Sequence, residues 1–232
     1  MTSDYINLMF DDFIELHGDR HFGDDRAIIT GFARLGRYRV MLIGQQKGKN
    51  TRERLQCNFG MPNPEGYRKA LRKMKLAERL HLPIVTLIDT PGANPDIGAE
   101  ERGQAYAIAE NIYQMIGIKT PIINVVIGEG GSGGALGIGV GDKFAIMEYA
   151  YCSVISPEGC AAILWKDAGH APIAADALKL TAKELHRLEI VDDIIAEPHG
   201  AAHTSPRDAA DSLKKALTGY VKEIIDTPID TL

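Results

Sequence analysis

Cysteine is scarce: Cys57, Cys152 and Cys160 are the only three in 232 residues. They form no CxxC pair, which excludes a cysteine-built zinc site and a disulfide framework, so no metal is expected on this chain. A reducing cytoplasm fits that usage. Long apolar runs are also missing. No stretch of about 18 apolar residues occurs, so nothing is expected to span a membrane. The N-terminus, MTSDYINLMFDDFIELHGDR, is amphipathic and acidic and lacks the charged-then-apolar layout of a secretory leader. No Gly/Ser/Pro-rich linker divides the chain, so residues 1–232 read as one domain.

The net charge of −5 gives no basic character to the whole chain, but the basic residues are unevenly spread. Between Arg34 and Arg79 there are thirteen Lys/Arg against three acids, Glu53, Glu65 and Glu78. Such a bias suits an anionic partner, although solubility alone also accounts for it.

Periodicity then orders the chain. Tyr5, Leu8, Met9 and Phe13 predict a helix over 4–17, stopped at His17-Gly18-Asp19. Ala27–Leu35 and Tyr38–Gln45 read as strands joined at Gly36-Arg37. A polar loop over 46–61 precedes a helix from Pro62-Asn63-Pro64-Glu65 to about Leu82, with Arg68, Lys69, Arg72, Lys73 and Arg79 opposite its apolar stripe. Strands at Ile84–Asp89 and Ile122–Ile127 alternate with helices at Ala99–Gly117 and Ser132–Val140. Short strands follow at Lys143–Glu148 and Tyr151–Ser156, and helices at Pro157–Ala168, Ala171–Lys179 and Thr181–Leu188. A strand at Val191–Ala196 and a helix from Ser205 to about Ile225 complete an α/β chain whose sheet is covered by helices.

What the chain has in excess is glycine in one place. Gly128–Gly141, GEGGSGGALGIGVG, holds eight of the 24 glycines, directly after a buried strand. Each interior glycine costs about 0.5–1 kcal/mol relative to alanine, so this segment needs either positive φ or close approach to its main chain. Nucleotide hydrolysis would explain the glycines and the DxxG-like Asp89-Thr90-Pro91-Gly92, but the GxxxxGK(S/T) phosphate loop is absent. A serine hydrolase would explain Gly130-Gly131-Ser132-Gly133-Gly134, which matches G-x-S-x-G. None of His170, His186, His199 and His203 sits in a setting that marks a catalytic base. A third reading uses the backbone itself: two strand-to-helix turns aim N–H groups at one oxygen that gains negative charge. Tight helix–sheet packing at Gly133, Gly134 and Gly137 is the purely structural account.

Longer motifs narrow the choice. DTPGANPDIGAEERGQAYAIA (Asp89–Ala109), VVIGEGGSGGALGIGVGDK (Val125–Lys143) and YCSVISPEGCAAILW (Tyr151–Trp165) closely resemble the α-subunit family of bacterial acetyl-CoA carboxylase carboxyltransferase. FDDFIELHGDRHFGDD (Phe10–Asp25) and NFGMPNPEGYRKALRKMKLAE (Asn58–Glu78) are similar to the same family, so the resemblance spans nearly the whole chain. The family's N-terminal helical extension is not found ahead of Asp4, and Asn94 and Asp96 stand where the family has an aromatic residue and a glycine.

The resemblance implies the crotonase fold, a spiral of ββα units. It implies transfer of CO2 from carboxybiotin on a carrier protein to acetyl-CoA, giving malonyl-CoA for fatty-acid synthesis. The expected partners are a carboxyltransferase β subunit bearing the zinc ribbon, the biotin carboxyl carrier protein, and biotin carboxylase in a larger complex, with an α2β2 core. By the family pattern Gly133 and Gly134 supply oxyanion N–H groups, and Gly92 and Ala93 line the opposite wall. Gly130, Gly131, Ser156 and Glu158 complete the expected biotin pocket. Arg68, Arg72 and Lys73 are candidates to meet CoA phosphates or an acidic carrier, against the plainer reading of a solvated face. Glu100 and Glu101 are better explained as first-turn acids at a helix dipole, and Ser156 as a helix cap. Because the glycine turn is expected at a pocket rather than in the core, Gly134→Val is expected to leave the fold intact. The enzyme alternative is a crotonase-type acyl-CoA hydratase or isomerase; the non-enzyme alternative is a scaffold relative without turnover.

Overall fold

The computed structural model describes residues 1–228 and Thr231. The elements run α1 (Thr2–Met9), β1 (Phe13–Glu15), β2 (Ile28–Leu35), β3 (Tyr38–Gln45), α2 (Thr51–Gln56), α3 (Pro64–Arg79), β4 (Ile84–Thr90), α4 (Ile97–Glu101) and α5 (Gln104–Ile116). They continue β5 (Ile122–Gly131), α6 (Ser132–Leu136), β6 (Lys143–Met147), β7 (Tyr151–Ser153), α7 (Pro157–Leu164), α8 (Ala171–Leu178), α9 (Ala182–Arg187), β8 (Asp193–Ile195) and α10 (Pro206–Ile224).

One eight-stranded sheet carries the fold, in the order β1-β2-β3-β4-β5-β6-β8, with β7 paired to the end of β5. β1, β2 and β3 are antiparallel. From β3 onward the neighbours run parallel. A central parallel sheet is buried on both faces, and every residue of β4 is buried, the polar Thr86, Asp89 and Thr90 included. Tyr67, Ala70, Met74 and Ala77 turn one face of α3 fully into the core. α10 closes the other side through Ala209, Leu213, Leu217 and Val221, all buried.

Several local expectations change. The helix predicted over 4–17 ends at Met9, where Phe10 takes extended backbone. Phe13–Glu15 instead pairs antiparallel with Gly31–Ala33. The apolar spacing of Phe13 and Leu16 suits either period, and main-chain bonding to β2 decides it: Leu16 N–H donates to the Thr30 carbonyl at 2.7 Å. The predicted loop over 46–61 contains α2, whose N-cap Asn50 accepts from Glu53 N–H at 3.0 Å. The single helix predicted over 99–117 is two, α4 and α5, broken at Gly103 with φ +82°. β5 runs on to Gly131, so the segment Gly128–Gly131 is strand rather than loop. α6 stops at Leu136, four residues short of the expected end.

Candidate active site

The parallel register places two strand ends side by side. Thr90, the last residue of β4, pairs with Gly130 near the end of β5. Each strand then turns: the first through Pro91-Gly92-Ala93, the second directly into α6. None of the eight glycines of 128–141 has positive φ. Their requirement is close approach. A Cβ on Gly131 would overlap the Pro91 carbonyl, and one on Gly134 would lie 2.5 Å from Ala93 N and 2.8 Å from Gly92 Cα. The two turns therefore touch backbone to backbone, a contact that only glycine allows.

Two glycines differ. Gly92 has φ +154°, and a Cβ there would meet nothing within 4 Å. A Cβ on Gly133 would meet only Ile108, at 3.8 Å. Open space thus lies over Gly92 and Gly133, beside the buried contact of Gly134. The N–H groups of the first turn of α6, including those of Gly133 and Gly134, have no intrahelical acceptor. The Thr90 hydroxyl fixes the first turn: it accepts Gly92 N–H at 3.1 Å and lies 2.7 Å from the carbonyls of Gly60 and Gly92.

A polar network supports the same strand ends. Lys47 Nζ lies 2.8 Å from Asp89 Oδ1 and 2.5 Å from Glu129 Oε2. Glu129 Oε1 accepts from the Tyr151 hydroxyl at 3.0 Å, and Asp89 Oδ1 also accepts Glu129 N–H at 3.2 Å. Burial opposes the Lys47 charge, but the Asp89 and Glu129 carboxylates outweigh it and raise its pKa. Burial likewise acts to raise the Glu129 pKa, yet the hydrogen bond from Lys47 and its charge hold it below the usual range. Burial, then the Glu129 carboxylate, pushes Tyr151 up to about 12. A cleft of about 540 Å³ opens beside this network, lined by Lys47, Glu129, Arg54 and Phe59.

The remaining candidates are dispersed. Ala93 is half-buried against the core. Gly130 packs on Cys152 as β5 pairs with β7. Ser156 caps α7, accepting Gly159 N–H at 3.1 Å, and both Ser156 and Glu158 are exposed. Asn94 points inward rather than lining a pocket: its Nδ2 donates to Asn63 Oδ1 at 2.7 Å. The basic face of α3 needs correcting. Arg68 is held by Asp19 at 2.8 Å, and Lys69 and Lys73 are buried beneath the 17–25 segment. Arg68 and Lys73 are therefore not free cations for a CoA phosphate or a carrier; Arg72 alone of the three is exposed. Burial lowers the Lys73 pKa further, aided by Arg72 and Lys69. Ser132 has φ +53°, but His17 faces Asp24, His170 faces Asp167 and His199 faces Asp208. None of these pairings builds a Ser–His couple.

The comparisons with known proteins agree over the full length. The family model described as acetyl co-enzyme A carboxylase carboxyltransferase-like matches residues 1–232. The chain belongs to this family. It is 58% identical over 231 residues to the acetyl-coenzyme A carboxylase carboxyl transferase subunit alpha of Rhodopirellula baltica, covering 100% of this chain and 72% of that one. The subunit of the same name from Ruthia magnifica is 59% identical over 231 residues and is covered to 73%. Among solved structures, transcarboxylase 12S with methylmalonyl-coenzyme A bound superposes with a TM-score of 0.74 at 21% identity, over 94% of this chain. The β subunit of geranyl-CoA carboxylase from P. aeruginosa gives 0.71 at 18% identity, over 96% of this chain. In each case this chain spans 41% of the larger one. The fold is the crotonase-like α/β fold of these carboxyltransferases. Family membership favours carboxyl transfer over the hydratase or isomerase alternative.

Proposed function

We propose that this chain forms the biotin-side half of a carboxyltransferase that moves a carboxyl group from carboxybiotin to acetyl-CoA, giving malonyl-CoA for fatty-acid synthesis. In this reading residues 1–232 act as one α-type domain, in the cytoplasm. The observation that carries it is the pair of strand-to-helix turns in backbone contact, with open space left over Gly92 and Gly133. A cradle that a Cβ would fill suits a flat ureido ring brought close to main-chain N–H groups.

Gly133 and Gly134 offer N–H donors from the first turn of α6, and Gly92 and Ala93 form the facing wall. Carboxybiotin supplies a transferable carboxyl group and leaves negative charge on its ureido oxygen. Donors placed where charge develops are worth about 3–4 kcal/mol each. The chain supplies no second acyl site in this reading. A β subunit supplies the thioester side and the zinc ribbon, a biotin carboxyl carrier protein delivers the substrate, and biotin carboxylase recharges it, around an α2β2 core. Among the described residues no group of three or more His, Cys, Asp or Glu is arranged to hold a metal ion. Also among them, no helix is long and apolar enough to cross a membrane.

The test is reconstitution. The chain mixed with a carboxyltransferase β subunit, acetyl-CoA and a carboxylated carrier is expected to form malonyl-CoA. A mixture that hydrolyses acyl esters or hydrates enoyl-CoA, and transfers no carboxyl group, contradicts it.

A further inference from the structure

We propose that Gln45 is a positioning residue, whose carboxamide sets the separation of the two glycine turns. It sits at the end of β3 and is fully buried. Its Nε2 donates to the Gly134 carbonyl at 2.8 Å, and its Oε1 accepts Asp89 N–H at 3.0 Å. One side chain therefore ties the strand that enters the first turn to the helix that begins the second. The carboxamide does both at every pH, because it carries a donor and an acceptor on one planar group.

A second buried group meets the same oxygen. The Tyr67 hydroxyl donates to the Gly134 carbonyl at 3.2 Å, and Tyr67 is also fully buried. The opposite side of Gly134 rests on Gly92 and Ala93. Gly134 is thus gripped by two donors from within and by the facing turn from without. Hydrogen bonds along a chain polarise one another. The Gly134 carbonyl shares its peptide unit with Ala135 N–H, so two donors on that oxygen also strengthen the Ala135 N–H dipole at the start of α6.

This inference rests on the carboxyltransferase reading for its kinetic consequence but not for its geometry, and the test keeps them apart. Gln45→Glu retains the acceptor and loses the donor while ionised. Burial raises the pKa of such a carboxyl, so lowering the pH from about 9 to about 6 restores the donor. In the isolated chain, labelled with ¹⁵N, the Ala135 amide resonance of Gln45→Glu should depart from wild type at the higher pH and return at the lower. In the complex with a β subunit, Gln45→Glu should lose about tenfold in kcat at the higher pH, the worth of one such bond. Its KM for acetyl-CoA should be unchanged, and its kcat relative to wild type should recover on acidification. Gln45→Met should be slow at every pH. Should Gln45→Glu fail to fold, Tyr67→Phe removes the other donor, and its Ala135 resonance should move in the same direction. An Ala135 resonance unaffected by both variants overturns the inference, even if the wild-type complex shows no carboxyl transfer. So does a Gln45→Met complex with wild-type kcat, or a Gln45→Glu deficit that is the same at both pH values.

Discussion

Gly134→Ala separates a packing glycine from a substrate-facing one. The added Cβ would sit 2.5 Å from Ala93 N and 2.8 Å from Gly92 Cα, where ordinary contact begins near 3.4 Å. Both obstacles are main chain, so neither can rotate away, and the turns must part by roughly 1 Å. Overpacking of this kind costs about 1–3 kcal/mol. Displacing the Gly134 carbonyl also weakens its bonds from Gln45 and Tyr67, each worth about 1 kcal/mol net. Against this stands at most about 1 kcal/mol of helix propensity gained by alanine. The expected net loss is about 2–4 kcal/mol. Gly133→Ala is the control: its Cβ meets Ile108 at 3.8 Å, an ordinary contact, so its stability should stay within about 1 kcal/mol of wild type. Urea unfolding followed by circular dichroism reads both. Equal stability of the two variants would refute the backbone contact. The same geometry corrects the expectation that Gly134→Val leaves the fold intact, because Gly134 is part of the core side of the turn.

Three further outcomes follow from named contacts. Ser132→Ala should keep carboxyl transfer, and a fluorophosphonate should leave Ser132 unlabelled; stoichiometric labelling would favour a hydrolase. Burial lifts Asp25 to about 6 despite hydrogen bonds from Ala27 and Asn63. A raised carboxyl pKa means the native state holds the proton more tightly, so this contribution favours folding at low pH and is lost as pH rises from about 4 to about 6. The stability of wild type relative to Asp25→Asn should therefore fall over that window, by up to about 3 kcal/mol; a constant or rising difference contradicts the burial. Ile163, Leu164 and Ile173 are 60%, 65% and 56% exposed, an apolar surface on α7 and α8 that suits burial against another subunit. Leu164→Glu should weaken sedimentation with a β subunit and leave the melting temperature of the isolated chain unchanged.

Much of this architecture is written locally. The β-branched runs at 84–89 and 122–127 can only be buried strands, and the glycine density after the second announces a close approach. Which glycine meets what is not local. Gly134 and Gly92 are far apart in sequence, and only the parallel register of β4 and β5 puts them in contact. The same holds for Lys47, Asp89, Glu129 and Tyr151, which come from four different strand ends and share no spacing signal. Gln45 was visible only as the end of a predicted strand. The basic face of α3 misled for a related reason. Charge periodicity marks a solvated face unless another segment supplies counterions, and here Asp19 and Asp24 arrive from a loop some 45 residues earlier. Helix 4–17 failed because three residues of edge strand fit either period.

Steady-state kinetics of Gly133→Val in complex with a β subunit test the central claim most directly. The substitution keeps the N–H groups of α6 but fills the open space over Gly133, which presents no close protein neighbour. If these turns hold the ureido group close, the added side chain displaces it by about 1 Å, and kcat with a biotin derivative as carboxyl acceptor or donor should fall by about 10². The KM for acetyl-CoA should stay close to wild type, and the circular dichroism spectrum should be unchanged. A folded Gly133→Val complex with wild-type turnover would contradict the account, leaving the glycines of 128–141 with packing as their sole role.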